Sequence, residues 1–228
     1  MPAALIAVSV ILPAALVALS GRYLRRSPRF IVWGAVSSLI SCPFITSDIF
    51  VYISLSSPEA FASSVSHPLL WAALAAAVSS AFGTIVPCMA VSRLGREEMD
   101  LYTVLSFASG HAASPVIWIY GIKAVYAAFS GSYTDIFGRD PSHDAAAAAV
   151  MLVLLFAAAV CVVYSVRDEK YLPAFAVFAS FCAAVFSVML SPASSAVTAV
   201  SALCAAGLSL EAFLLARKDI RKGPRQEH

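Results

Sequence analysis

The sequence predicts an all-α fold, a polytopic transmembrane helical bundle of about seven spans. Three observations carry that reading. Hydrophobic residues make up 61% of the chain and charged residues only 12%, whereas a soluble domain holds about 45–50% and about 25%. The apolar residues fall into blocks of about 20, the length that crosses a hydrocarbon core of about 30 Å as a helix. Short clusters of charged residues, proline, glycine and serine separate the blocks, and the mean hydropathy is +0.85.

The first block runs from Ala4 to Leu19 and is interrupted by Pro13. A signal peptide carries its positive charges ahead of the apolar run. Here Arg22, Arg25, Arg26 and Arg29 follow it, so the block is expected to be a retained, short span with its N-terminus outside. The second block, Phe30 to Leu55, contains Pro43 and Asp48, and a polar loop from Ser56 to His67 follows. The third is Pro68 to Val91, with Pro87 near its end. The charged cluster Arg93 to Asp100 leads into the fourth, a long segment reaching Ser130 that carries His111, Pro115 and Lys123. The loop Gly131 to Asp144 is rich in turn-forming residues. The fifth block, Ala145 to Val166, opens with five alanines, and Asp144 is the expected N-cap. Arg167 to Lys170 separates it from the sixth, Tyr171 to Leu190, and SPASS turns into the seventh, Ala193 to Ala216. Residues 1–216 thus read as one transmembrane helical domain, and 217–228 as a basic, polar, frayed cytoplasmic tail.

Charge sets the orientation. The loops after spans one, three and five, together with the tail, hold 13 of the 15 lysines and arginines. The opposite side holds Arg139, with Lys123 just inside the membrane. The positive-inside rule makes the cation-rich side cytoplasmic, with the N-terminus out and the C-terminus in. A net charge of +2, with its cations at segment ends, suits lipid headgroups and excludes a nucleic-acid binder. The expected partners are the lipid bilayer and other membrane subunits or a cytoplasmic protein, in a multi-pass protein of the cell membrane. Five cysteines, Cys42, Cys88, Cys161, Cys182 and Cys204, lie inside apolar blocks with no C-x-x-C pair. They read as packed thiols, and neither a disulfide framework, a metal centre nor a cofactor is expected.

Four polar residues inside the apolar blocks are the candidate site: Asp48, His111, Lys123 and Glu211. Ionisable groups in hydrocarbon are costly and usually face a partner or a cavity. Asp48 and Lys123 come to similar depth in spans that run the same way, so they could pair; alternatively, Lys123 snorkels to the outer headgroups and Asp48 caps a kinked end. An intramembrane histidine serves as a proton relay, a metal or haem ligand or a general base when it has a partner. Glu211 is the closest in depth to His111. The alternative is a neutral histidine hydrogen-bonded across a helix seam. Ser106, Gly110 and Ser114, with Gly121 near the same face, form a small-residue stripe suited to close helix contact. Pro43, Pro87 and Pro115 each free a carbonyl one turn back and are expected to kink their helices.

Glu97-Glu98 followed by Phe107 and His111 resembles the EExxxR and FxxxH motifs of CAAX-type intramembrane proteases, and Ser109 to His111 resembles part of the type-two phosphatidic acid phosphatase signature. The arginine of the first set and the flanking motifs of the second are absent. From Arg26 to about Phe186 the layout resembles the Yip family of polytopic membrane proteins: RSPRF enters the second span, and RLG is followed by YTVLSFASGHAASP, Tyr102 to Pro115. That resemblance implies a membrane-organising or transport-associated role without catalytic residues. The expected function is therefore a permease or transport-associated membrane subunit. The alternatives are a non-catalytic structural or scaffold membrane protein, and an intramembrane hydrolase or metal- or haem-binding protein centred on His111.

Overall fold

The structure, a computed structural model, describes residues 3–23, 28–45, 67–94, 99–130, 133–134, 140–190 and 195–222. Among these there are seven long helical segments, a helical pair at 133–134 and no strand. Helix α1 is Ala3–Ile6, continued through a π-helical turn at Ala7–Ile11 into Leu12–Tyr23. Then come α2 (Arg29–Ile45), α3 (Pro68–Ser92) and α4, which is Leu101–Val116 running through a second π-turn, Ile117–Gly121, into Ile122–Ser130. The last three are α5 (Pro141–Arg167), α6 (Tyr171–Leu190) and α7 (Ser195–Lys222). Six of the seven are long and apolar enough to cross a membrane, whereas α2 is a shorter apolar helix over its described length. The outer part of the second block, with Asp48, and the SPASS turn lie outside the described residues.

The bundle is arranged around α5. Alanine, leucine and valine occupy most of this helix, and with no strongly polar face it is suited to burial on all sides. In α5, 61% of the apolar window is buried inside the chain, against 17% in α7. It packs on α1, α3, α4, α6 and α7, while the outer helices meet in the order α1, α4, α2, α3, α6, α7.

The ends of α5 are set by local chemistry. Its N-cap is Asp140, whose Oδ1 accepts from the Ser142 amide at 2.9 Å, with Pro141 at the first helical position. That hydrogen bond holds the exposed Asp140 carboxyl below the usual carboxylate range. The helix therefore starts a turn earlier than the alanine run suggests. Asp144, expected as the cap, instead lies buried in the first turn, where the Tyr133 hydroxyl donates to it. At the other end, Glu169 adopts φ 54°, and the Lys170 amide donates to the Ser165 carbonyl at 3.0 Å. This left-handed closure turns the chain into α6.

Two close crossings fix α4. A Cβ added at Gly110 would lie 2.1 Å from the Ile31 carbonyl oxygen, and one at Gly34 would lie 2.1 Å from the Phe107 oxygen. Helices α2 and α4 thus touch backbone to backbone, which only glycine permits. Further along, Gly121 meets α1, where a Cβ would stand 3.1 Å from the Ser9 oxygen. Pro13 has no N–H to offer that carbonyl. The small-residue stripe of α4 is therefore shared between two neighbours: Gly110 and Ser114 serve α2, whose Ala35 carbonyl accepts from the Ser114 hydroxyl at 3.3 Å, and Gly121 serves α1.

Gly110→Ala is expected to destabilise the bundle by about 2 kcal/mol or more, because backbone must move to admit the methyl. Gly207, whose Cβ would meet nothing within 4 Å, is the control. There, alanine should be neutral or stabilising by up to about 1 kcal/mol. Denaturation midpoints in detergent measure both.

Candidate functional site

Among the described histidine, acidic and basic side chains the most enclosed is His111, which is 1% exposed. It follows Gly110 on α4, so the glycine crossing carries its ring directly onto α2. Its Nδ1 lies 3.1 Å from the Ser37 hydroxyl oxygen. Ser37 also donates to the Gly34 carbonyl at 2.8 Å. A hydroxyl has one proton, so with that proton given to Gly34, Ser37 accepts and the imidazole carries its hydrogen on Nδ1. Phe107, one turn earlier, stacks on the imidazole with centroids 6.0 Å apart. The arrangement satisfies a neutral histidine across a helix seam.

The other three residues lie elsewhere. Glu211 stands half-buried on α7 within electrostatic reach of the Cys161 thiol of α5, and that thiol lies 3.8 Å from the Leu208 carbonyl. Helix α5 packs on both α4 and α7, which share little contact themselves. His111 and Glu211 thus belong to different seams. Lys123 is on the exposed side of α4, and Asp48 lies outside the described residues. Among the described residues, no group of three or more histidine, cysteine or acidic side chains is placed to hold a metal ion.

Two polar clusters emerge beyond the four candidate residues. At the C-terminal end of α5, the Arg167 guanidinium bonds both carboxylate oxygens of Asp219 on α7, one of them at 3.1 Å. Its Nε donates to Asp168 at 2.8 Å, and it reaches the Met99 carbonyl at 3.4 Å ahead of α4. The Tyr164 hydroxyl donates to Asp219 at 2.9 Å, and the guanidinium lies 4.3 Å from the Tyr164 ring centroid. Residues 217–222, expected to fray, are helical and tied down by this contact. The available signal was Asp219, the lone acid within RKDIRK. At the opposite end, Tyr133, Asp144 and His143 gather; His143 Nδ1 is 3.8 Å from Asp144 Oδ1.

An open groove of about 390 Å³ lies between α1 and α4, lined by apolar side chains including Val10, Ile117, Val125 and Phe129 beside the two π-turns. Its walls are almost wholly apolar and suit hydrocarbon. No family model, curated protein or solved structure matches the chain.

Replacing Ser37 and His111 by alanine, singly and together, is expected to give a coupling of about 0.6 to 1.7 kcal/mol in unfolding free energy. The matching His111 and Glu211 cycle should be additive within about 0.5 kcal/mol. Asp219→Ala should cost about 3 kcal/mol, because it leaves the Arg167 guanidinium without its bidentate partner. The double variant Arg167→Met with Asp219→Leu should recover much of that loss, as read from thermal midpoints in detergent.

Proposed function

We propose that the chain is a multi-pass protein of the cell membrane with seven spans, its N-terminus outside and its C-terminus in the cytoplasm. Its role is that of a non-catalytic, membrane-organising or transport-associated subunit. The observation that carries this reading is the dispersal of the polar residues. Among the described residues, His111 is buried at the α2–α4 seam with its Nδ1 beside Ser37, Glu211 is half-buried on α7 within electrostatic reach of Cys161 of α5, and Lys123 is exposed on α4. A permeation path or an intramembrane active site calls for such groups to converge on one cavity. The cation distribution supports the orientation, since 13 of 15 lysines and arginines fall on one side. The Yip-like layout of residues 26–186 fits the same non-catalytic role. The partners are the bilayer, other membrane subunits and a cytoplasmic protein meeting the cationic face.

A permease is the second reading, and one observation favours it. The hydroxyls of Ser38 on α2 and of Ser79 and Thr84 on α3 are enclosed with no hydrogen-bond partner among the described residues. Buried hydroxyls of this kind carry a desolvation cost of about 1–3 kcal/mol each. A small opening between α2 and α3 would let water or a polar solute relieve it.

A fluorescent protein fused after His228 should fluoresce, and alkaline phosphatase fused there should be inactive; the reverse pattern contradicts the orientation. In a strain lacking the chain, variants His111→Gln, Lys123→Met and Glu211→Gln that still accumulate in the membrane should restore the lost phenotype. Failure of two of these well-folded variants to do so would move the assignment to a permease or an enzyme.

A further inference from the structure

The geometry points to a binding site for an anionic phospholipid of the cytoplasmic leaflet on the outward face of the C-terminal third of α7. The inference rests on the orientation proposed above for the leaflet, though not for the chemistry of binding. Helix α7 has 28 residues, about 42 Å at about 1.5 Å per residue, so it overshoots a hydrocarbon core of about 30 Å by about two turns. Its last turns therefore stand at headgroup depth.

Two stripes on this helix run from apolar to cationic. Leu210 and Leu214 lead to Lys218 at steps of four residues, and Phe213 leads to Arg217 at the same step. Residues four apart lie one above the other on a helix face. All five are exposed: Leu210 by 62%, Phe213 by 60% and Leu214 by 47%, with both cations exposed as well. An acyl chain laid along Leu210, Phe213 and Leu214 brings its phosphate to Arg217 and Lys218.

Neither acid in this region cancels the two cations: Glu211 stands seven residues before Lys218, half-buried within electrostatic reach of Cys161 of α5. Asp219 points the other way, onto Arg167 and Tyr164, with its side chain only 16% exposed. The clamp neutralises the carboxylate inside the bundle and holds the helix extended, so the outward face is left cationic. Charge complementarity selects an anionic headgroup over a zwitterionic one. The same stripe covered by another protein helix would place two cations against a protein surface rather than against headgroups.

Native mass spectrometry of the full chain, released from detergent with equimolar phosphatidylglycerol and phosphatidylcholine, tests this. The wild type should retain phosphatidylglycerol preferentially, and Arg217→Gln with Lys218→Gln should lower that preference on the order of tenfold or more. Arg93→Gln, an exposed cation away from α7, should leave it within about twofold. Equal retention of the two lipids, or an unchanged preference in the double variant, would overturn the site. Efficient disulfide cross-linking of Phe213→Cys between two copies in membranes would overturn it too, by showing a helix on the stripe. Because detergent has no sidedness, the fusion reporters judge orientation separately from lipid binding.

Discussion

One contact sets the geometry of the bundle around His111, the crossing of α2 over α4 at Gly34 and Gly110. Apolar burial gives little preference between helix partners when lipid tails are as apolar as leucine. Close backbone approach restores that preference through van der Waals contact, and here it is so close that a single methyl at either glycine would sit 2.1 Å from a carbonyl oxygen. The crossing delivers His111 onto Ser37, so this buried imidazole finds its hydrogen-bond partner on the helix it packs against. Without that crossing, the imidazole would face lipid or the apolar surface of α5.

The remaining architecture follows from where polar groups can be placed. Helix α5 occupies the centre because it is apolar all round. Its two ends are pinned by tyrosine–aspartate contacts, Tyr133 with Asp144 at one and Tyr164 with Asp219 at the other. The second pin includes Arg167, which links α5, α7 and the chain entering α4. Both lie at the ends of a membrane-length helix, where burying a charge costs least. Of the described cysteines, Cys161 is buried, while Cys88, Cys182 and Cys204 are partly buried.

Much of this was legible in the sequence. All seven apolar blocks contain a helix, and the ends agree to within a few residues where both are described, because hydrophobic length is a strong signal. The start of α5 departs from the sequence pattern: the five alanines place the boundary at Ala145, whereas Asp140 and Pro141 already supply a cap and a first turn. The partner of His111 was not legible. Ser37 is one of many serines in apolar blocks, and only the fold brings residues 74 apart in sequence together. The Arg167–Asp219 pair was hidden for the same reason, because charges near span ends read as solvated until a neighbouring helix covers them. The small-residue stripe of α4 was visible, but its division between α1 and α2 depends on the long-range order of helices.

The central claim is that His111 is a sealed packing histidine rather than part of a water-accessible site. Cysteine accessibility in membranes measures this most directly, with the five native cysteines replaced and single cysteines placed at His111 or Lys123. A sealed seam predicts that small, membrane-impermeant thiol reagents leave position 111 unmodified from either side, while position 123 is modified from the outside. Rapid modification at position 111 from either face would contradict it and reveal a polar path through the bundle.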